Sequence, residues 1–170
     1  MTLSYFRILL SQHDAMLRLA LWLKSPELEP PREVDSLDAV SAACDENGNW
    51  RGSAVFIYNK AGWTIFEDLT GHFSSMGSEA WLEFAQSDDL VFAGYNDAIG
   101  YGELVVIKRG AVLREFLFDA SDPEVSVNRG QLNGNPIEPM QTWIEAARFV
   151  DDDDLVLSKH GLLWLHRILA

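Results

Sequence analysis

Ser53–Tyr58 reads SAVFIY, Asn59–Gly62 reads NKAG, and Trp63–Glu67 reads WTIFE. Two runs of β-branched and aromatic residues flank a short turn that ends in glycine. This is the signature of a β-hairpin. Downstream the pattern repeats. Leu90–Tyr95 (LVFAGY) predicts a strand, and Leu104–Lys108 and Val112–Phe118 flank Arg109-Gly110 as a second hairpin. Asp68–Gly77 and Asn96–Gly102 read as loops. Between them Ser78 is placed to cap a short helix, Glu79–Gln86. Trp81, Phe84 and Ala85 fall on one face of it, and Glu79, Glu83 and Gln86 on the other.

Upstream, Tyr5–Leu10 predicts a strand entering a helix that ends near Ser25. Ser11 and Asp14 sit at capping-box spacing, and one longer helix from Ser4 is the alternative. Pro26, Pro30 and Pro31 in an acidic stretch predict a loop. Ala39–Cys44 reads as a small-residue strand, and Asn47-Gly48 as a turn. Asp119–Gly134 reads as irregular. A helix starts at Asn135, or three residues later, and carries Met140, Trp143, Ala147 and Val150 on its apolar stripe. Leu155–Ala170 is either a final hairpin or a last helix. The strands follow one another without interleaved long helices. The expectation is one α+β domain over residues 1–170: a mainly antiparallel, twisted meander of about five or six strands with flanking helices.

The chain has 170 residues, of which 48% are hydrophobic and 23% charged, so it has ample core material and is not disordered as a whole. Its formal net charge is −13. Phosphate contacts need clustered Lys and Arg, so nucleic acid and anionic membranes are not expected partners. The single cysteine, Cys44, gives no disulfide framework. No signal-peptide pattern and no membrane-length apolar run stand out, which predicts a cytoplasmic protein.

Tests for chemistry fail on spacing. Gly100-Tyr101-Gly102 precedes a strand, whereas a phosphate-cradling loop opens a helix. Gly71–Gly77 lacks the spacing of a nucleophile elbow, although His72 stands near Ser74 and Ser75. In Asp45–Asn49 the glycine comes too early for a calcium loop, and Phe56 stands where a glutamate is needed. The run Asp151–Asp154 points its carboxylates in different directions. His13, His72, His160 and His166 do not make a helical zinc pair. No catalytic residue, metal or cofactor is therefore assigned.

One charge pattern stands out. Between Lys60 and Lys108 there is no Lys or Arg, while the interval holds many carboxylates. If strands 63–67, 90–95 and 104–108 are neighbours, Asp68, Asp97 and Glu103 share one edge of the sheet. Glu67, Asp68, Asp88, Asp89, Asn96, Asp97 and Glu103 are the candidate partner-binding residues, forming an acidic docking face for a basic protein. The rival readings are a carboxylate-based hydrolase, metal-dependent or not, and a housekeeping domain whose acidity is plain solvation.

The order of features over residues 53–150 is Gly62-Trp63-Thr64-Ile65-Phe66-Glu67-Asp68-Leu69-Thr70-Gly71, a short Trp-bearing helix, Phe92-Ala93-Gly94-Tyr95-Asn96-Asp97, the hairpin ending Arg114-Glu115-Phe116, and the helix with Trp143. This order resembles small acidic bacterial immunity proteins of polymorphic or contact-dependent toxin systems. The resemblance implies a non-enzymatic cytoplasmic protein that neutralises a basic toxin domain by covering its active site or a nearby surface. Such proteins share no catalytic motif, so no residue role carries over.

Overall fold

The computed structural model describes residues 3–24, 27–130 and 159–167. The helix expected from Asn135 and the Asp151–Asp154 run lie outside the described residues. The elements are β1 (Leu3–Ile8), α1 (Gln12–Leu23), β2 (Glu27–Asp35), α2 (Ser36–Ala43), β3 (Ser53–Lys60), β4 (Trp63–Asp68), α3 (Ser78–Ala85), β5 (Leu90–Asn96), β6 (Tyr101–Lys108), β7 (Ala111–Asp119), β8 (Val127–Gly130) and β9 (His160–His166). No helix among the described residues is long and apolar enough to cross a membrane.

All the described strands belong to one antiparallel sheet of nine, in the order β2-β9-β3-β4-β1-β5-β6-β7-β8. This corrects the expected five or six strands. It also corrects the meander. β1 lies at the centre, between β4 and β5, and β9 inserts between β2 and β3. The strands 63–67 and 90–95 are therefore separated by β1, whereas β5 and β6 are neighbours.

Two local expectations fail for physical reasons. The proline stretch is an edge strand, β2, and it follows the sheet only with register shifts between Glu27 and Arg32. Proline lacks a donor and is tolerated at an edge, where one side of the ladder is not needed. The small-residue segment is a helix, α2, whose N-cap Asp35 accepts from the Leu37 amide at 3.1 Å. Ala39 and Ala43, four residues apart, are its buried contacts. Alanine favours helix more than strand, and the capping aspartate decides the matter.

The hairpins form as read. Ala61-Gly62 (φ 50° and 83°) and Arg109-Gly110 (φ 50° and 74°) make the tight turns. Both central residues have positive φ, the geometry that matches strand twist. Ser11 caps α1 by accepting from the Asp14 amide at 3.2 Å. Ser78 does not cap α3. Gly77 is the N-cap residue there, and it contributes no side-chain bond.

α1 and α3 cover one face of the sheet. Trp81 stacks on Phe92 and Phe6 on Phe66, each with ring centres 4.5 Å apart, and Phe73, Phe84 and Trp164 complete that core. The opposite face carries Tyr5, Phe56, Ile65, Leu104 and Phe116, with α2 beside Ala54, Leu163 and Leu165. Trp50 is 38% exposed. Cys44 is half-buried at the end of α2.

Candidate functional site

One end of the sheet gathers the β4–α3 loop (69–77), the β5–β6 turn (97–100) and the β7–β8 connection (120–126). Three carboxylates on the helix-bearing face organise it. Asp68 ends β4 on the same face as Thr64 and Phe66. Its Oδ1 accepts from the amides of Thr70 (3.1 Å) and Gly71 (2.8 Å), and its Oδ2 from the Phe73 amide (2.8 Å) and the Ser4 hydroxyl (3.1 Å). Glu103 on β6 accepts through Oε2 from the Ser75 amide (2.9 Å) and the Tyr101 hydroxyl (2.6 Å). Glu115 on β7 accepts through Oε1 from the Ser78 amide at 3.2 Å, at the start of α3. The first turn of α3 is thus served from a neighbouring strand, which replaces a local cap. The loop between β4 and α3 is pinned to three separate strands.

Burial dominates the electrostatics. It pushes the Glu103 carboxyl above its ordinary value, against the hydrogen bonds from Tyr101 and Ser75 that favour the charged form. Burial and the neighbouring Glu103 charge raise the Tyr101 phenol strongly, so the phenol keeps its proton and donates. Ser75 itself adopts φ 65°, a left-handed conformation unusual for serine, where its amide meets Glu103. Chemically, Asp68 and Glu103 act as internal acceptors for backbone amides. Asp68 spends both oxygens on the loop and Ser4, whereas Glu103 gives one oxygen to Ser75 and Tyr101.

The sequence-expected docking residues therefore separate. Asp68 and Glu103 are 3% exposed each and cannot be surface contacts; that expectation is corrected. Glu67 is half-buried on the opposite face, paired with Lys159 Nζ at 3.0 Å. Asp88 and Asp89 precede β5, at the far end of the sheet from Asn96. Asp88 pairs with Arg18 at 2.8 Å, and Asp89 accepts from the Arg109 amide at 3.0 Å. Asn96 is half-buried at the gathered end, and Asp97 opens the turn that follows it.

Residues that the sequence reading passed over complete this end. Asp119, Asp122 and Glu124 lie on β7 and the connection after it, and the Ala120 amide donates to the Gly100 carbonyl at 3.2 Å, joining the two turns. The Ser121 hydroxyl (2.6 Å) and amide (2.8 Å) hold the Asp119 carboxyl below its ordinary value. Ile99 and Val125 are exposed beside them, at 54% and 44%. Residues 95–107 and 115–128 contain no Lys or Arg. The signal was available as a second cation-free interval, 115–128, separated from the first by Lys108, Arg109 and finally Arg114. That arginine is buried, and it donates to Asn128 and to the Arg129 carbonyl. No protein-family model, curated protein or solved structure matches this chain.

Proposed function

We infer that this protein is a binding domain without catalytic activity, which presents its acidic sheet end to a basic protein. In its most specific form it is an immunity protein that neutralises a cognate toxin. The carrying observation is the division of labour among the carboxylates. Buried Asp68, Glu103 and half-buried Glu115 fix the loops from within. Asp119, Asp122 and Glu124 stand outside, next to exposed Ile99 and Val125, in segments without Lys or Arg. Apolar anchors inside a charged rim are the usual anatomy of a binding patch. An uncompensated acidic rim speeds encounter with a cationic partner and disfavours acidic ones.

The test is capture from the native host with the tagged chain, followed by mass spectrometry. A stoichiometric basic partner, whose toxicity is suppressed on co-expression, is the expected result. Recovery of no stoichiometric partner counts against the reading.

A second reading, a carboxylate hydrolase, is favoured by one feature: Glu103 is a buried carboxyl raised above its ordinary value, a property shared with general acids. Its competing duty as acceptor for Ser75 and Tyr101 makes it the weaker reading.

A further inference from the structure

At the opposite end of the sheet, beside the start of α1, lies a cavity of about 560 Å³ lined by Gln12, Glu33, Asn59, His160, Gly161 and Leu162 among others. The strand registers explain how these groups converge. Leu162 pairs with Ile57 on one side and with Glu33 on the other, so Glu33 and Leu162 share the helix-bearing face with Ile57. Two residues along, His160 pairs with Asp35, and Asn59 occupies the next same-face position of β3. Gln12, at the start of α1, closes the wall, with its Oε1 accepting from Asn59 Nδ2 at 3.1 Å. Asn59 Oδ1 lies 3.0 Å from the Thr64 hydroxyl, whose single proton also has the Leu10 carbonyl at 2.8 Å. Each amide oxygen keeps a second lone pair.

Among the described residues Glu33 is the only acidic one of the lining, and no Lys or Arg lines it. Arg32, Lys60 and Lys159 each stand one residue from the lining and alternate to the other face; Arg32 pairs with Glu29 and donates to the Ala42 carbonyl, and Lys159 is held by Glu67 and Tyr58. Asp35 Oδ2 stands 3.9 Å behind His160 Nδ1 and adds to the negative potential. Asp14 in the first turn of α1 offsets that helix's positive end. The His160 side chain is 92% exposed, which leaves its ring available to stack. A planar cation with several donors matches this set better than a point charge does. It can meet a carboxylate, two amide oxygens and a ring face together.

We propose that this cavity binds a small guanidinium-bearing molecule, with Glu33 as its counter-ion, Gln12 and Asn59 as amide acceptors, and His160 over the plane of the cation. The site is remote from the acidic end and stands independently of the function assigned there. A cavity of this volume holds a whole small molecule.

N-acetyl-arginine amide is titrated into the protein, with NMR reporting the 161–162 backbone amides and the Asn59 and Gln12 side-chain amides. The expected result is a saturable shift at millimolar concentration, absent with the uncharged isostere N-acetyl-citrulline amide. Glu33→Gln, an exposed edge-strand change that leaves the spectrum folded, weakens binding at least fivefold. Equal responses to the arginine and citrulline probes, no saturable shift, or unchanged binding in Glu33→Gln overturns the proposal. A Gly-Arg-Gly peptide that binds more than tenfold tighter than the amide overturns the small-molecule assignment.

Discussion

The Tyr101 hydroxyl donates to Glu103 Oε2 at 2.6 Å, on a carboxylate that also receives the Ser75 amide. Truncating the side chain leaves the Ser75 amide without an acceptor and leaves the Tyr101 hydroxyl only the Ser75 hydroxyl, 3.3 Å away. Glu103→Ala is therefore expected to cost about 2 kcal/mol in urea unfolding, the usual penalty for stranding buried donors.

The same site predicts a pH effect. Folding raises the Glu103 carboxyl, mainly through burial. A group raised in this way contributes stability that is complete below its unfolded value and is lost as pH rises through its folded value. Wild type should therefore lose stability relative to Glu103→Gln as pH climbs from the ordinary glutamate value of 4.5. Unfolding midpoints of the two proteins across a pH series measure it. A difference that does not vary with pH contradicts the assignment.

Asp68 holds a loop, and its removal should show a local signature. Asp68→Ala strands the amides of Thr70, Gly71 and Phe73. The expected loss is about 3 kcal/mol, at the upper end for hydrogen bonds to a charged group. Hydrogen exchange should accelerate first at Gly71 and Phe73, while β5 and β6 amides keep their protection. Uniform loss across the sheet would instead mark Asp68 as a general stability residue.

Gly161 is a packing requirement. A Cβ there would press into the Ile57 carbonyl and lie 2.7 Å from the Phe56 ring. The Ile57 contact is backbone and cannot swing away, so Gly161→Ala should cost about 2 kcal/mol or more. Gly48→Ala meets nothing within 4 Å but must adopt φ 80°, so about 1 kcal/mol is expected. Thermal unfolding of the two variants should rank them in that order.

The hairpin around Ala61-Gly62, the pair β6–β7 and the buried stripe of α3 were legible because local pattern and tertiary context agree there. β2 and α2 were not, since proline composition and small residues carry no period that separates edge strand, loop and short helix. The position of β9 between β2 and β3 rests on pairing across more than a hundred residues, which no local pattern encodes. At the candidate site the sequence showed an excess of carboxylate but not its direction. Tyr101 and Glu103 alternate with Gly102 and Leu104 in a strand buried on both faces. In such a strand a charged residue faces inward whichever side it takes, so Glu103 had to be buried and satisfied. Asp119, Asp122 and Glu124 were passed over because Lys108, Arg109 and Arg114 separate them from the first cation-free interval, although Lys108 and Arg109 sit at the far end of the sheet and Arg114 is buried.

The account turns on the acidic end meeting a basic protein. The most direct measurement is the association rate constant of the captured partner across ionic strength, for wild type and for Asp119→Lys, Asp122→Lys, Glu124→Lys combined. These side chains lie on an exposed turn and at a strand end, so the fold should survive. Association at least tenfold slower in the variant at low salt is expected, with a flattened salt dependence. Equal rates and equal salt slopes for the two proteins would contradict it.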